Sequence, residues 1–274
     1  MSDSNSDPRF HGIFSTLKEL DIYDRTAGDI YAEGFADFWN VYTGHDVGDI
    51  PYYQRLLPGP GARVLDLGCG SGRIGIALAR DGALVDGIEL SSAMLALVDA
   101  NLATETEEVK KRLRFFKANI CDFSLPDRYD LIVLGATSIS LLLRSEQRRA
   151  LFKQVRNHLK PDGKFIFDIL DFSGERWKKH DNYIDVWSRE TEDGQDFAIV
   201  GQHFYPDEKI FTFNAYRELV EWNGTTKRTI SSSTKAWIET DELALAIQEN
   251  GLAITSEFDH GEIRYYVVCM AEGA

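Results

Sequence analysis

The chain has 274 residues, 43% of them hydrophobic, with 30 Lys+Arg against 44 Asp+Glu and a formal net charge of -14. That length can bury a sizeable core, so one domain with additions is expected. The acidic excess disfavours nucleic acid as a partner, because it repels phosphate. Cys69, Cys121 and Cys269 form no CxxC pattern, and an odd, unpatterned count fits a reduced cytoplasmic protein. Residues 1–8 are polar and lack the apolar core of a secretory signal. The longest apolar segment, residues 131–143, carries Thr137, Ser138 and Ser140 and is too short for a bilayer, so no membrane partner is expected.

In chain order, residues 1–9 read as a disordered N-terminus and 10–58 as a helical region that can act as a lid. Tyr31, Phe35, Phe38, Trp39 and Tyr42 fall at helical spacing, Gly44 to Gly48 interrupts them, and Asp49-Ile50-Pro51 opens a further helix. Such an aromatic stripe suits either a core or a lid over a ligand.

Residues 59–170 form the expected core. Arg63 to Leu67 is a β-branched, apolar run that ends in a turn with Gly68, Gly70 and Gly72, and Ile74 to Arg80 then reads as a helix. Glycines at this junction let the backbone turn sharply and lie against a ligand at the open end of a parallel sheet. Two ligand classes compete for it. Gly70-x-Gly72-x-x-Gly75 with Glu89 on the next strand satisfies a dinucleotide pattern. Asp66, however, puts a carboxylate where a pyrophosphate would approach, and anion beside anion is costly in a poorly hydrated cleft. An adenosine bearing an ammonium and a sulfonium suits that charge better, which describes S-adenosylmethionine.

The alternation continues with strands at 83–88, 113–118, 129–134 and 164–170, a helix capped by Ser91 and a helix over 147–159. Alternating strands and helices predict a parallel sheet covered on both faces. Residues 171–238 change pattern: 197–204, 209–221 and 226–237 alternate, and Asn223-Gly224 is a hairpin signal. They read as an antiparallel β insertion on the substrate side. Residues 239–274 complete the core with a helix that Thr240 caps and Gly251 ends, then a closing hairpin of strands 252–259 and 263–270. The expected fold is α/β: a Rossmann-like, doubly wound, seven-stranded sheet with a closing antiparallel hairpin, an N-terminal helical lid and an antiparallel β insertion.

Asp66-x-Gly68-x-Gly70-x-Gly72 resembles the first motif of class I SAM-dependent methyltransferases, and the resemblance continues through Glu89, Asn119 and the segment after Tyr129-Asp130. Phe35-Ala36-Asp37-Phe38-Trp39-Asn40-Val41-Tyr42 is similar to the opening of aminosugar N,N-dimethyltransferases. Enzymes that dimethylate a peptide amine in daptide-type ribosomal peptide pathways are similar as well. The resemblance implies that the helical segment folds over the cofactor and helps shape the substrate pocket. It also implies a cofactor site in which Glu89 meets the ribose hydroxyls, Asn119 the adenine amine and Ile120 the adenine ring. Asp66, Gly68, Cys69, Gly70, Gly72 and Arg73 are further expected contacts from the glycine turn. Leu90, Met94, Gly135 and Tyr53 are expected contacts from neighbouring segments.

Trp39, which stands where the aminosugar enzymes carry a tyrosine near the substrate amine, is expected at the substrate with Thr137 and Arg217. Tyr42, His203 and Asp168 are the candidates for catalysis. Leu141 falls where related amine methyltransferases often carry a histidine, so no general base is evident. The six histidines show no HxxxH or HExxH pattern, and no metal is expected. Methyl transfer is an in-line displacement that depends chiefly on proximity, and an amine need only arrive neutral whereas a hydroxyl asks for a base. The preferred partner is therefore a small-molecule or peptide amine. An O-methyltransferase, a nicotinamide-dependent oxidoreductase and an inactive SAM-binding scaffold stand as alternatives.

Overall fold

The computed structural model describes residues 9–27, 29–44, 48–172 and 182–273. The chain divides into two compact units, one of Met1–Trp39 with Lys178–Trp237 and one of Asn40–Trp177 with Ile238–Ala274.

The second unit holds a seven-stranded sheet. Its strands are β2 (Arg63–Leu67), β3 (Leu84–Glu89), β4 (Leu113–Lys117), β5 (Tyr129–Leu134), β6 (Leu159–Leu170), β11 (Leu252–His260) and β12 (Ile263–Met270). They lie in the order β11-β12-β6-β5-β2-β3-β4. β6, β5, β2, β3 and β4 pair parallel, and β12 pairs antiparallel with both β6 and β11. The Rossmann-like sheet and its closing hairpin are thus present. Parallel strands need crossovers, supplied here by helices including α4 (Arg73–Arg80), α5 (Ser92–Leu102) and α7 (Ser145–His158). The strand order reverses between β2 and β5, and the carboxyl ends of these two strands frame the crevice where an open α/β sheet binds its ligand. Val64, Leu78, Val85, Leu131, Val133 and Ile166 are fully or almost fully buried in one core cluster beneath it.

Two local readings change. Thr240 is the first residue of α8 (Thr240–Glu249) and Glu239 precedes it as N-cap, with no side-chain cap bond. The turn read at 161–163 is absorbed into β6, where the pairing with β5 shifts register between Tyr129 and Leu131.

The first unit is built on a five-stranded sheet in the order β1-β10-β9-β8-β7. β7 (Tyr183–Glu190), β8 (Gly194–Tyr205), β9 (Ile210–Glu221) and β10 (Thr226–Ala236) form an antiparallel meander. β1 (Arg25–Ala27) joins β10 in parallel, so the N-terminal segment contains a strand as well as helices. Helix α1 (Ile13–Glu19) buries Phe14 and Leu17 against Tyr216 and Ile230. Gly201 on β8 makes room for it: a Cβ there would stand 2.7 Å from the Phe14 ring. The division between units falls inside α2 (Ala36–Gly44).

Candidate cofactor site

The glycine turn between β2 and α4 has φ of 63°, 57° and 89° at Gly68, Gly70 and Gly72, the left-handed region that side chains disfavour. A Cβ at Gly70 would stand 3.2 Å from Met94 Cε, so this backbone stays bare and open to close approach. Asp66, at the end of β2, is 1% exposed, and its Oδ2 accepts the Gly75 N–H at 3.0 Å. The carboxylate therefore occupies a donor at the start of α4, where a pyrophosphate would otherwise be held. Burial pushes the Asp66 carboxyl up to about 7, and the charges of Glu89 and Asp49 add to this against the Gly75 bond and Arg73.

Glu89 ends β3 and points both oxygens at backbone donors: Oε2 accepts from Gly70 N at 3.0 Å and Oε1 from Ser91 N at 2.7 Å. A carboxylate has about four acceptor positions, two on each oxygen. Ser91 caps α5 by accepting from Met94 N at 3.2 Å, as its sequence predicts. Cys69 is buried and close to Gly87, whose missing Cβ would meet Cys69 Sγ at 2.9 Å and the Phe115 ring at 2.6 Å. Leu90 is 59% exposed beyond the strand end. Asn119 is exposed, with its Oδ1 taking the Cys121 N–H at 2.9 Å in an Asx turn, and Ile120 beside it is half-buried.

Arg73 makes a fork-to-fork pair with Asp49, at 2.6 and 2.7 Å. Asp49 precedes α3 (Ile50–Gln54), and its Oδ2 also accepts from the Tyr53 hydroxyl at 3.2 Å. Tyr53 is fully buried. Its phenol is pushed far above the ordinary tyrosine range by burial and by the carboxylates of Asp168 and Asp49. Asp168, near the end of β6, receives the Ala136 and Thr137 N–H groups at 3.1 and 2.5 Å. The carboxylate is thereby engaged in holding the loop that leaves β5, including Gly135 and Thr137.

Asp49, Asn40, Ser71 and Asn101 are absent from the sequence-based set. Asn40 on α2 accepts from Ser71 Oγ at 2.5 Å, while Asn101 Nδ2 donates to the Ser71 carbonyl at 3.0 Å and to Asn40 Oδ1 at 3.5 Å. These polar groups tie α2 and α5 to the glycine turn. Their separation in the chain left no local signal, although Asp49 before Ile50-Pro51 stood at a recognisable helix start.

Trp39, His203 and Arg217 belong to the other unit, and Tyr42 is half-buried on the part of α2 assigned to the unit with the glycine turn. Trp39 packs edge-on against Phe213 at 5.1 Å, and the His203 ring lies tilted against His11 at 4.6 Å. Arg217, expected at the substrate, forms an internal tie. Its five N–H donors go to Asp37 (2.8 and 2.8 Å), Asp196 (2.8 and 2.9 Å) and the Gly34 carbonyl (3.0 Å). A guanidinium has five donors, so none is left for a substrate.

An α/β sheet with a bare glycine turn, an acidic residue ending the second parallel strand and an antiparallel closing hairpin defines a SAM-dependent methyltransferase fold. Residues 64–163 match the family model described as "Methyltransferase domain". It is 25% identical over 155 residues to the cypemycin N-terminal methyltransferase of Streptomyces sp, covering 57% of this chain and 59% of that one. The chain spans about half the length of the first curated relatives it matches, 42% and 59%. Among solved structures, the sugar N-methyltransferase KedS8 from Streptoalloteichus sp ATCC 53650 superposes with a TM-score of 0.73 at 17% identity, covering 99% of each chain. The glycopeptide N-methyltransferase MtfA complexed with S-adenosyl-L-homocysteine gives 0.59 at 18% identity, over 96% of this chain and 100% of that one. Among the described residues, no helix is long and apolar enough to cross a membrane.

Proposed function

We propose that this protein transfers a methyl group from S-adenosylmethionine to an amine of a small-molecule or peptide natural product, with N,N-dimethylation as the complete reaction. The observation that carries the reading is the Asp66 carboxylate on Gly75 N at the start of α4. A donor that a pyrophosphate would use is already taken, and the remaining negative charge favours a cationic ligand. The N-methyltransferase names of the cypemycin, sugar and glycopeptide relatives support an amine as the acceptor.

In this reading Glu89 accepts the ribose hydroxyls while Gly70 N and Ser91 N fix its orientation. Gly68, Cys69, Gly70 and Gly72 admit the ligand against bare backbone, and Met94 and Leu90 border it. Asn119 and Ile120 receive the adenine, and Gly135 and Thr137 border the acceptor. Bound S-adenosylmethionine supplies an electrophilic methyl on a sulfonium. The protein's own work is then to hold an amine lone pair in line with that methyl and to exclude water, for which proximity contributes roughly 7–11 kcal/mol. A neutral amine reacts without prior removal of a proton, consistent with a site that relies on positioning.

The test is incubation with S-adenosylmethionine and a panel of aminosugars and peptides with free N-termini, followed by mass spectrometry. A gain of one and then two methyl groups on an amine supports the proposal. Methylation confined to hydroxyl compounds would replace it with O-methyl transfer, and turnover of a nicotinamide cofactor would replace it with hydride transfer.

A further inference from the structure

Ala136 and Thr137 are consecutive non-glycine residues with φ of 56° and 55°. A residue with a Cβ disfavours this left-handed region, so a consecutive pair of them needs an external constraint. Asp168 is that constraint. It is 2% exposed, and its Oδ2 takes the Ala136 N–H at 3.1 Å while its Oδ1 takes the Thr137 N–H at 2.5 Å.

The clamp continues beyond the loop. The Tyr53 hydroxyl stands 3.5 Å from Asp168 Oδ2 and 3.2 Å from Asp49 Oδ2, and Asp49 holds Arg73, the first residue of α4. Gly135 lets the phenol in, since a Cβ there would lie 2.6 Å from the Tyr53 oxygen. On its other side the loop meets the glycine turn, where a Cβ on Gly68 would stand 3.8 Å from Ser138 Cβ. The exit loop of β5 and the glycine turn thus lie close together and are braced through a polar chain.

We propose that Asp168 is a positioning residue: it holds Ala136 and Thr137 in the left-handed conformation and so sets the wall that the β5 exit loop presents to the cofactor cleft, with Tyr53 relaying the constraint to Asp49 and Arg73. This role rests on the reading of the cleft as an S-adenosylmethionine site, and it differs from that of a base. Asparagine at 168 keeps one acceptor oxygen but turns an NH2 toward the second loop amide, leaving that N–H unsatisfied. Glycine at 136 and 137 adopts positive φ without the steric cost and relieves the need for the clamp.

The experiment uses the full chain and S-adenosylhomocysteine as the probe, with calorimetry for affinity and hydrogen exchange for the 135–141 segment. Asp168→Asn is expected to weaken binding about tenfold and to speed exchange in the segment. Adding Ala136→Gly and Thr137→Gly is expected to restore affinity to within about threefold of the wild type, which loss of a base would not permit. Tyr53→Phe is expected to weaken binding about threefold and carries the test if Asp168→Asn does not fold. Unchanged affinity and exchange in these variants, or a glycine pair that restores nothing, overturns the clamp. Absence of binding by the wild type overturns the cofactor reading instead, and the exchange data then decide the clamp alone.

Discussion

Two sets of carboxylates, one in each unit, are held in opposite ways. In the unit with the seven-stranded sheet, Asp66, Glu89 and Asp168 take backbone N–H groups of the glycine turn, the α5 entry and the β5 exit. Those bonds orient loops and leave negative charge at the strand ends. In the unit with the five-stranded sheet, Asp196 and Asp37 are held by the guanidinium of Arg217. There Arg217, with Arg189 at 3.4 Å from Asp196, offsets the charge internally, and the side chains tie α2 to the sheet. An acidic residue bound by amides remains able to influence a ligand, whereas one closed on arginine is committed to the fold.

The largest expected effect breaks the second arrangement. Arg217→Met leaves Asp196, whose side chain is 0% exposed, with only the longer contact to Arg189 at 3.4 Å as a described guanidinium partner, and removal of one partner of a buried pair costs about 3–5 kcal/mol. Burial works against the charged form of Arg217, yet the bonds from Asp37 and Asp196 outweigh it and hold its proton more tightly than usual. Denaturant unfolding should show the loss, and Asp196→Leu added to Arg217→Met should recover part of it. An unchanged midpoint in the single variant would contradict the internal-tie role.

Next in size is Glu89→Ala, which removes the proposed ribose acceptor and the restraints on Gly70 and Ser91. S-adenosylmethionine affinity should fall by about ten- to a hundredfold, the range for charge-assisted hydrogen bonds of roughly 1.5–3 kcal/mol. Calorimetry that finds equal affinity would remove Glu89 from the site.

A smaller effect comes from Asp66, whose folded-state value of about 7 lies above its ordinary value of 3.8. The folded protein binds the extra proton in that interval, so this group's contribution to stability is full below about 3.8 and declines as pH rises toward 7. Ligand binding should run the other way, because a cationic ligand favours the ionised carboxylate. Affinity for S-adenosylmethionine should therefore rise through pH 7, and Asp66→Asn should flatten that rise.

The smallest effect belongs to the N-terminal segment of the other unit. Burial and the nearby His203 push His11 down to about 4 from 6.5. The folded state thus prefers neutral His11, and the stability this provides is present above about 6.5 and lost as pH falls toward 4. Asn214 anchors the segment by accepting the His11 N–H at 3.2 Å and donating to the Arg9 carbonyl at 2.7 Å. Hydrogen exchange in residues 9–19 should quicken across that window, and His203→Ala, which removes one cause of the lowering, should move the change to higher pH and make it smaller.

Much of the first arrangement was legible because it is local. Residues 63–80 contain a strand, a glycine turn and a helix in succession, Ser91 stands at its cap, and the closing hairpin alternates around Gly261. The second arrangement depends on distant partners. Arg217 reads as an available cation until Asp37, 180 residues away, is brought beside it. β1 is three residues long and β7 exposes much of its surface, so neither has the apolar alternation that marks a strand. Asp168 was legible as a candidate at a strand end, but its grip on two left-handed residues belongs to backbone geometry.

The central claim is that the bare glycine turn and the Asp66 carboxylate select a cationic adenosyl ligand over a dinucleotide. Calorimetry of the wild-type protein with S-adenosylmethionine, S-adenosylhomocysteine and NADH tests it directly. Binding of the first two and none of the third is expected; binding of NADH alone would overturn the assignment.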